Sequence, residues 1–230
     1  MKKTIIALSM VLLLCVSVYA EEKMGAKALF YSGEGPTLST VKKADDKKVT
    51  RQQSTKKERY MGIAYWIDLV KPDGEHVMTT TNREFKSGEK IKLNLKSNRD
   101  GYLYIVNIGT TGTSRVLFPH SGHTDNFIEA SKTYSVPFDT YMKFDDNPGE
   151  ETLLILLSPK PMNELSPSSP IMKVDESSKF MVYAKSKGAK DLLLEDDTAI
   201  SAKTTQYVVT PMTSIENGEA ISLLVKLKHR

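Results

Sequence analysis

From Tyr60 onward, apolar and polar positions alternate with a period of two. Ile63, Tyr65, Ile67 and Leu69 fall on one face of an extended segment, and Lys71-Pro72-Asp73-Gly74 is turn chemistry that ends it. Ile91, Leu93 and Leu95 alternate with Lys90, Lys92, Asn94 and Lys96, the cleanest half-buried strand of the chain. Asn98-Arg99-Asp100-Gly101 reads as a turn, with Gly101 supplying a positive φ. Tyr102–Ile108 is apolar on both faces apart from Asn107, as a central strand would be. Further strands are expected at 115–118, 134–137, 141–144, 152–158, 206–209 and 221–227. Gly109–Thr113 and Asp145-Asp146-Asn147-Pro148-Gly149 are turns between them. Residues 159–176 read as a proline-rich loop. Segment 177–194 is ambiguous between an extended stretch at 180–184 and a short helix near 190–195.

Short strands separated by turn signals predict a mostly β fold. The expected architecture is an antiparallel β-sandwich, immunoglobulin-like or jelly-roll-like, with one or two short helices.

The N-terminal residues obey another rule. Lys2 and Lys3 precede an apolar run from Thr4 to Val16, and Val18-Tyr19-Ala20 offers small residues before Glu21. This is the pattern of a signal peptide cleaved between Ala20 and Glu21. The run is shorter than the ~20 residues that a bilayer crossing needs. The one cysteine, Cys15, lies inside that run, behind Leu14 rather than behind the small residue of a lipobox. The mature chain is therefore expected to be free of thiols, exported to the periplasm or secreted, and without a transmembrane segment.

Charge then separates the parts. The formal +4 falls to +2 once Lys2 and Lys3 are removed, and residues 41–60 hold eight basic and three acidic side chains. Residues 39–57 lack the large apolar groups needed to offset chain entropy and read as a basic, flexible connector, the first place a protease should nick. The expected organisation is a signal peptide at 1–20, a short segment at 21–38 with a possible edge strand at Ala28–Tyr31, the connector at 39–57, and the sandwich at 58–230. Gly33-Glu34-Gly35-Pro36 reads as a turn, and a stable core is expected to begin near Tyr60.

Several strings together resemble a known family. They are Tyr65-Trp66-Ile67, Phe85-Lys86-Ser87-Gly88-Glu89-Lys90-Ile91, Asn98 to Tyr104, Leu117-Phe118-Pro119, Asp125-Asn126, Pro137, Gly149-Glu150-Glu151-Thr152 and Leu227-Lys228-His229. The chain is similar in these to the bacterial domain-of-unknown-function family 4384, over about 60–160 and the C-terminal strand. The resemblance implies an exported or envelope-facing β-rich module, often joined to domains such as kinases or peptidases, with no agreed activity or ligand. No such partner domain occurs in these residues, so a stand-alone version is expected.

Candidate chemistry is sparse. Pro119-His120-Ser121-Gly122-His123-Thr124-Asp125-Asn126 is the best candidate binding loop, carried by His120, His123, Asp125 and Asn126. Two His and one Asp are metal-ligand types, but no third His or Cys is near, a polar turn is the plainer reading, and no metal or other cofactor is assigned. The acidic turn 145–151 fails the spacing of a calcium loop. Gly109-Thr110-Thr111-Gly112 lacks the lysine of a phosphate loop, and no Gly-x-Ser-x-Gly elbow is present. No catalytic residue is assigned. The basic run 42–59 has no interleaved aromatics, and nucleic acid is not an expected partner.

The functional expectation is a non-enzymatic module binding a protein or polymer of the bacterial cell envelope. The alternatives are an envelope-polymer hydrolase with an unrecognised carboxylate pair, and a small-ligand or metal sensor built on the 119–126 loop.

Overall fold

The longest described strand, β2 (Thr55–Val70), organises the first of two sheets. The computed structural model describes residues 24–39, 55–109, 114–120, 124–162, 193–195, 205–216 and 220–230. The leader at 1–20 with its Ala20–Glu21 junction, residues 40–54 of the connector, His123 and most of 159–194 lie outside them.

One edge of β2 pairs over residues 63–70 with β5 (Lys90–Ser97). β13 (Gln206–Pro211) pairs with residues 60–65, β3 (His76–Thr79) with 67–70, and β1 (Glu34–Ser39) with its N-terminal end. β9 (Thr133–Val136) and β10 (Met142–Lys143) extend the sheet beyond β5, and β12 (Leu193–Glu195) extends it beyond β13.

The second sheet runs β4 (Glu84–Phe85), β14 (Ile221–His229), β11 (Gly149–Ser158), β6 (Gly101–Ile108) and β7 (Ser114–Phe118), with β8 (Phe127–Ile128) also on β6. Only β4 against β14 is parallel; the other pairs are antiparallel.

The two sheets share one core. Ile63, Tyr65 and Ile67 of β2 and Ile91, Leu93 and Leu95 of β5 meet Leu103 and Ile105 of β6, Leu153, Ile155 and Leu157 of β11, and Ile221, Leu223, Val225 and Leu227 of β14. On β2, β5 and β14 these are the positions that the period-two pattern puts on one face, whereas β6 and β11 read as continuous apolar runs. Each fully buried Leu or Ile contributes about 1.5–3 kcal/mol. β6 is buried on both faces, because Tyr104, Val106 and Ile108 join Leu154, Leu156 and Met162 behind the second sheet. The Tyr104 hydroxyl accepts the Met162 N–H at 2.7 Å.

Several local expectations are corrected. Ala28–Tyr31 is not an edge strand but part of helix α1 (Ala26–Ser32). Ala26, Leu29 and Phe30 stand at helical spacing and are buried against Ala64, Tyr207 and Val209 on the outside of the first sheet. A seven-residue helix has no stability of its own, so docking selects it over a strand. The helix ends at Gly33, whose φ of 67° suits glycine. Glu34, Gly35 and Pro36, read as turn residues, begin β1 instead. The fold thus extends ahead of Tyr60, and Ser39 and Thr55–Lys57, assigned to the connector, are in strand.

Gly101 has no positive φ, unlike Gly33, Gly74 and Gly88. It is required by close approach: a Cβ there would meet the Ser158 carbonyl oxygen at 2.8 Å and Met61 Cε at 2.9 Å. Finally, Leu193–Glu195 is strand rather than helix, held by the β13 ladder, and α2 (Met212–Glu216) follows Pro211, where no helix is expected from the sequence.

Candidate functional site

The outward side of the first sheet follows from the same alternation. If Ile63, Tyr65 and Ile67 point inward, Ala64, Trp66 and Asp68 point outward. On β5 the outward set is Lys90, Lys92, Asn94 and Lys96. Register places Lys96 opposite Ala64, Asn94 opposite Trp66, Lys92 opposite Asp68 and Lys90 opposite Val70. β10 sets Lys143 opposite Lys90, and β9 sets Ser135 opposite Asn94. β3 sets His76 opposite Val70.

Four lysines therefore share one sheet face with Trp66. Tyr141 stands beside them, 39% exposed. Its ring centroid is 5.6 Å from Lys90 Nζ, 5.4 Å from Lys92 Nζ and 6.1 Å from the His76 ring. Lys92 is fixed further by donating to the carbonyls of Pro137 and Phe138 at 3.0 and 2.9 Å.

A polar chain crosses the middle. Ser135 Oγ donates to Asn94 Oδ1, and Asn94 Nδ2 donates to Asp68 Oδ2 at 2.8 Å. Asn94 is only 5% exposed, so this order is held by the fold. Among the described residues, none of Lys90, Lys92, Lys96 and Lys143 stands within ion-pairing distance of a carboxylate. Where β2 pairs with β5, Asp68 is the one acid against Lys90, Lys92 and Lys96, so this stretch of the face is net positive.

A second feature is a cleft of about 200 Å³ between the sheets. Ile91, Phe144, Leu153 and Leu227 form its apolar side, and Asn107, Asp145, Asn147 and Glu151 its polar rim. Asn107 Nδ2 donates to Glu151 Oε2 at 3.0 Å. Asp145 accepts from the Asn147 backbone N–H at 2.8 Å and from its side-chain amide at 3.0 Å. The Asn147 amide chiefly, and then its backbone N–H, hold the Asp145 carboxyl below its ordinary range, with a smaller pull from His229. The His229 side chain is buried, with Nε2 3.7 Å from Asp145 Oδ1 and no hydrogen-bond partner for either ring nitrogen.

One continuous stretch, β4 through β11, supplies strands to both sheets. Residues 84–161 match Domain of unknown function (DUF4384). No curated protein and no solved structure matches the chain. The DUF4384 segment supplies Lys90, Lys92, Asn94, Lys96, Ser135, Tyr141 and Lys143. Trp66, Asp68 and His76 come from the strands ahead of it. β2, β13 and β14 lie outside the matched residues, yet β2 and β14 stand inside the two sheets. The sandwich is thus wider than the DUF4384 match.

The residues singled out from the sequence are placed as follows. Asp125 Oδ1 accepts the Phe127 N–H at 3.0 Å, and Asn126 Nδ2 donates to the Leu103 carbonyl at 3.0 Å. Asp125 closes the turn into β8, and Asn126 ties that turn to β6. His120 is half-buried just after β7, and His123 is outside the described residues. Among the described residues, no three His, Cys, Asp or Glu side chains gather as a metal ion would require. No described helix is long and apolar enough to cross a membrane.

Sequence reasoning missed Trp66, Tyr141 and Lys143. The signal for Trp66 was its parity: it is the bulky aromatic out of phase with Ile63, Tyr65 and Ile67.

Proposed function

We propose that this chain is an exported, non-enzymatic module that binds a partner in the bacterial cell envelope, and that the outward face of the first sheet is the binding surface. One observation carries the reading: four lysines, none ion-paired among the described residues, share a sheet face with Trp66 and Tyr141, two of them against the Tyr141 ring, and the Ser135–Asn94–Asp68 chain orders that face. Charged and aromatic groups gathered on one ordered surface are what recognition uses. The leader pattern at 1–20 supports the address.

The hydrolase alternative has one point in its favour, the presence of Asp145 and Glu151 on one cleft rim. The direction of the Asp145 shift suits the base or nucleophile of such a pair and not its acid. A general acid needs its pKa raised, and the Asn147 hydrogen bonds lower this one.

The test is photo-cross-linking in living cells, with the reactive group placed at Trp66, Lys96 or Tyr141, and at Leu224 on the other sheet as control. The reading expects adducts from the first three positions and none from the fourth. Equal adducts from all four, or none from any, would reject it. N-terminal sequencing of the cell-envelope form should begin at Glu21.

A further inference from the structure

We infer, building on the binding reading above, that the partner is an acidic glycan chain lying along β5. Same-face residues two apart on a strand are separated by roughly 7 Å. Lys90, Lys92 and Lys96 therefore make an extended row of cations, with Lys143 one strand spacing from Lys90. An extended row fits an extended polyanion better than a compact anion.

The other groups on the face narrow the class. Trp66 and Tyr141 offer flat apolar rings on which the C–H face of a sugar can lie. Asp68 keeps an acceptor oxygen, Oδ1, beyond the Oδ2 that Asn94 engages, suited to a hydroxyl group. A plain polyphosphate would gain nothing from the rings and has no hydroxyl to donate to Asp68. A lipid surface would call for bulky apolar side chains. Of the exposed large apolar residues, Tyr31, Phe127 and Leu224 are on other elements, and Tyr141 alone is here. Carboxylate or sulfate groups for the lysines, ring faces for the aromatics and hydroxyls for Asp68 coincide in an acidic sugar chain.

Trp66 is the only tryptophan of the chain, so its emission reads this face and nothing else. The full mature chain is titrated with oligogalacturonate, with heparin oligosaccharide, with methyl-esterified oligogalacturonate, with poly-glutamate and with phosphatidylglycerol vesicles. The inference expects a saturable emission change with at least one of the two acidic glycans, and a far weaker one with the ester, poly-glutamate and vesicles. Substituting Lys90→Gln, Lys96→Gln and Lys143→Gln together should weaken glycan binding roughly tenfold and flatten its salt dependence. Tyr141→Ala should weaken it about threefold or more. All four side chains are solvent-exposed or half-buried, and unchanged denaturation midpoints would show that the variants still fold.

Equal response to poly-glutamate would overturn the glycan and leave a charge-driven face. A response to vesicles alone would overturn it in favour of lipid. Silence toward both acidic glycans, with cross-links still formed at Trp66 and Tyr141, would overturn the glycan and keep the binding face. Silence in both experiments would remove both readings.

Discussion

Asn98 donates from Nδ2 to the carbonyl of Phe30 at 3.0 Å, tying the turn after β5 to the last turn of α1. The same amide reaches the Tyr60 carbonyl at 3.3 Å, and its Oδ1 accepts the Gly62 N–H at 2.8 Å. Arg99 Nε adds a bond to the Tyr60 carbonyl at 2.9 Å. The turn is therefore a clamp between the helix and β2. Asn98→Ala should cost about 2–3 kcal/mol, since it leaves half-buried backbone groups unpaired. Asn98→Asp keeps the acceptor for Gly62 but sets a carboxylate oxygen against the Phe30 and Tyr60 carbonyls, and should cost at least as much. Chemical denaturation of the two variants checks the order.

Thr210 is fully buried, and its hydroxyl has no hydrogen-bond partner. Thr210→Val keeps the shape and removes the unpaired group. It should stabilise the fold by about 1 kcal/mol, read as a higher denaturation midpoint with an unchanged slope.

Gly101 and Gly74 should respond differently to alanine. At Gly101 the added methyl runs into the backbone of β11, and the core must shift, at a cost of about 1–3 kcal/mol. At Gly74 nothing lies within 4 Å, so the penalty is that of a φ of +86° alone, about 1 kcal/mol. Gly74→Asn, which tolerates that conformation, should recover part of it, whereas Gly101→Asn should be worse than Gly101→Ala.

Asp145 sets part of the acid limb of stability. Its carboxyl is lower in the folded chain than its ordinary 3.8 because Asn147 donates to it twice. Such a group stabilises the fold fully above the unfolded value and loses that contribution as pH falls through the folded value. Asp145→Ala should lower the midpoint by a small amount at neutral pH and converge on the parent once the pH has fallen below the folded value of the carboxyl. A difference that persisted at the acid end would assign the effect to packing instead.

The sandwich is legible in the sequence wherever a strand buries one face, as in β5 and β14, because period two then records the core directly. β6 and β11 are legible as continuous apolar runs. α1 is not, because a four-residue window from Ala28 to Tyr31 omits Ala26, whose spacing to Leu29 and Phe30 marks the helix. Gly101 is legible as special but for another reason than the one read: sequence shows a missing side chain and not the strand that approaches it. The lysines of β5 are visible as the polar side of a strand. Their meeting with Trp66, Tyr141 and Lys143 is not, because it depends on the registers of β2, β5 and β10, and register is a tertiary property. Asp125 and Asn126 show the converse, since residue types that suit a ligand serve here to close a turn and to tie it to β6.

β14 pairs with all but one residue of β11, and the two strands join positions at least about sixty residues apart. During synthesis the apolar side of β11 is made long before the strand that will cover its edge. Closing so distant a ladder is slow, and the half-built sheet presents an open, sticky border while it waits. The emerging chain thus carries that border exposed until the nine residues of β14 have been made.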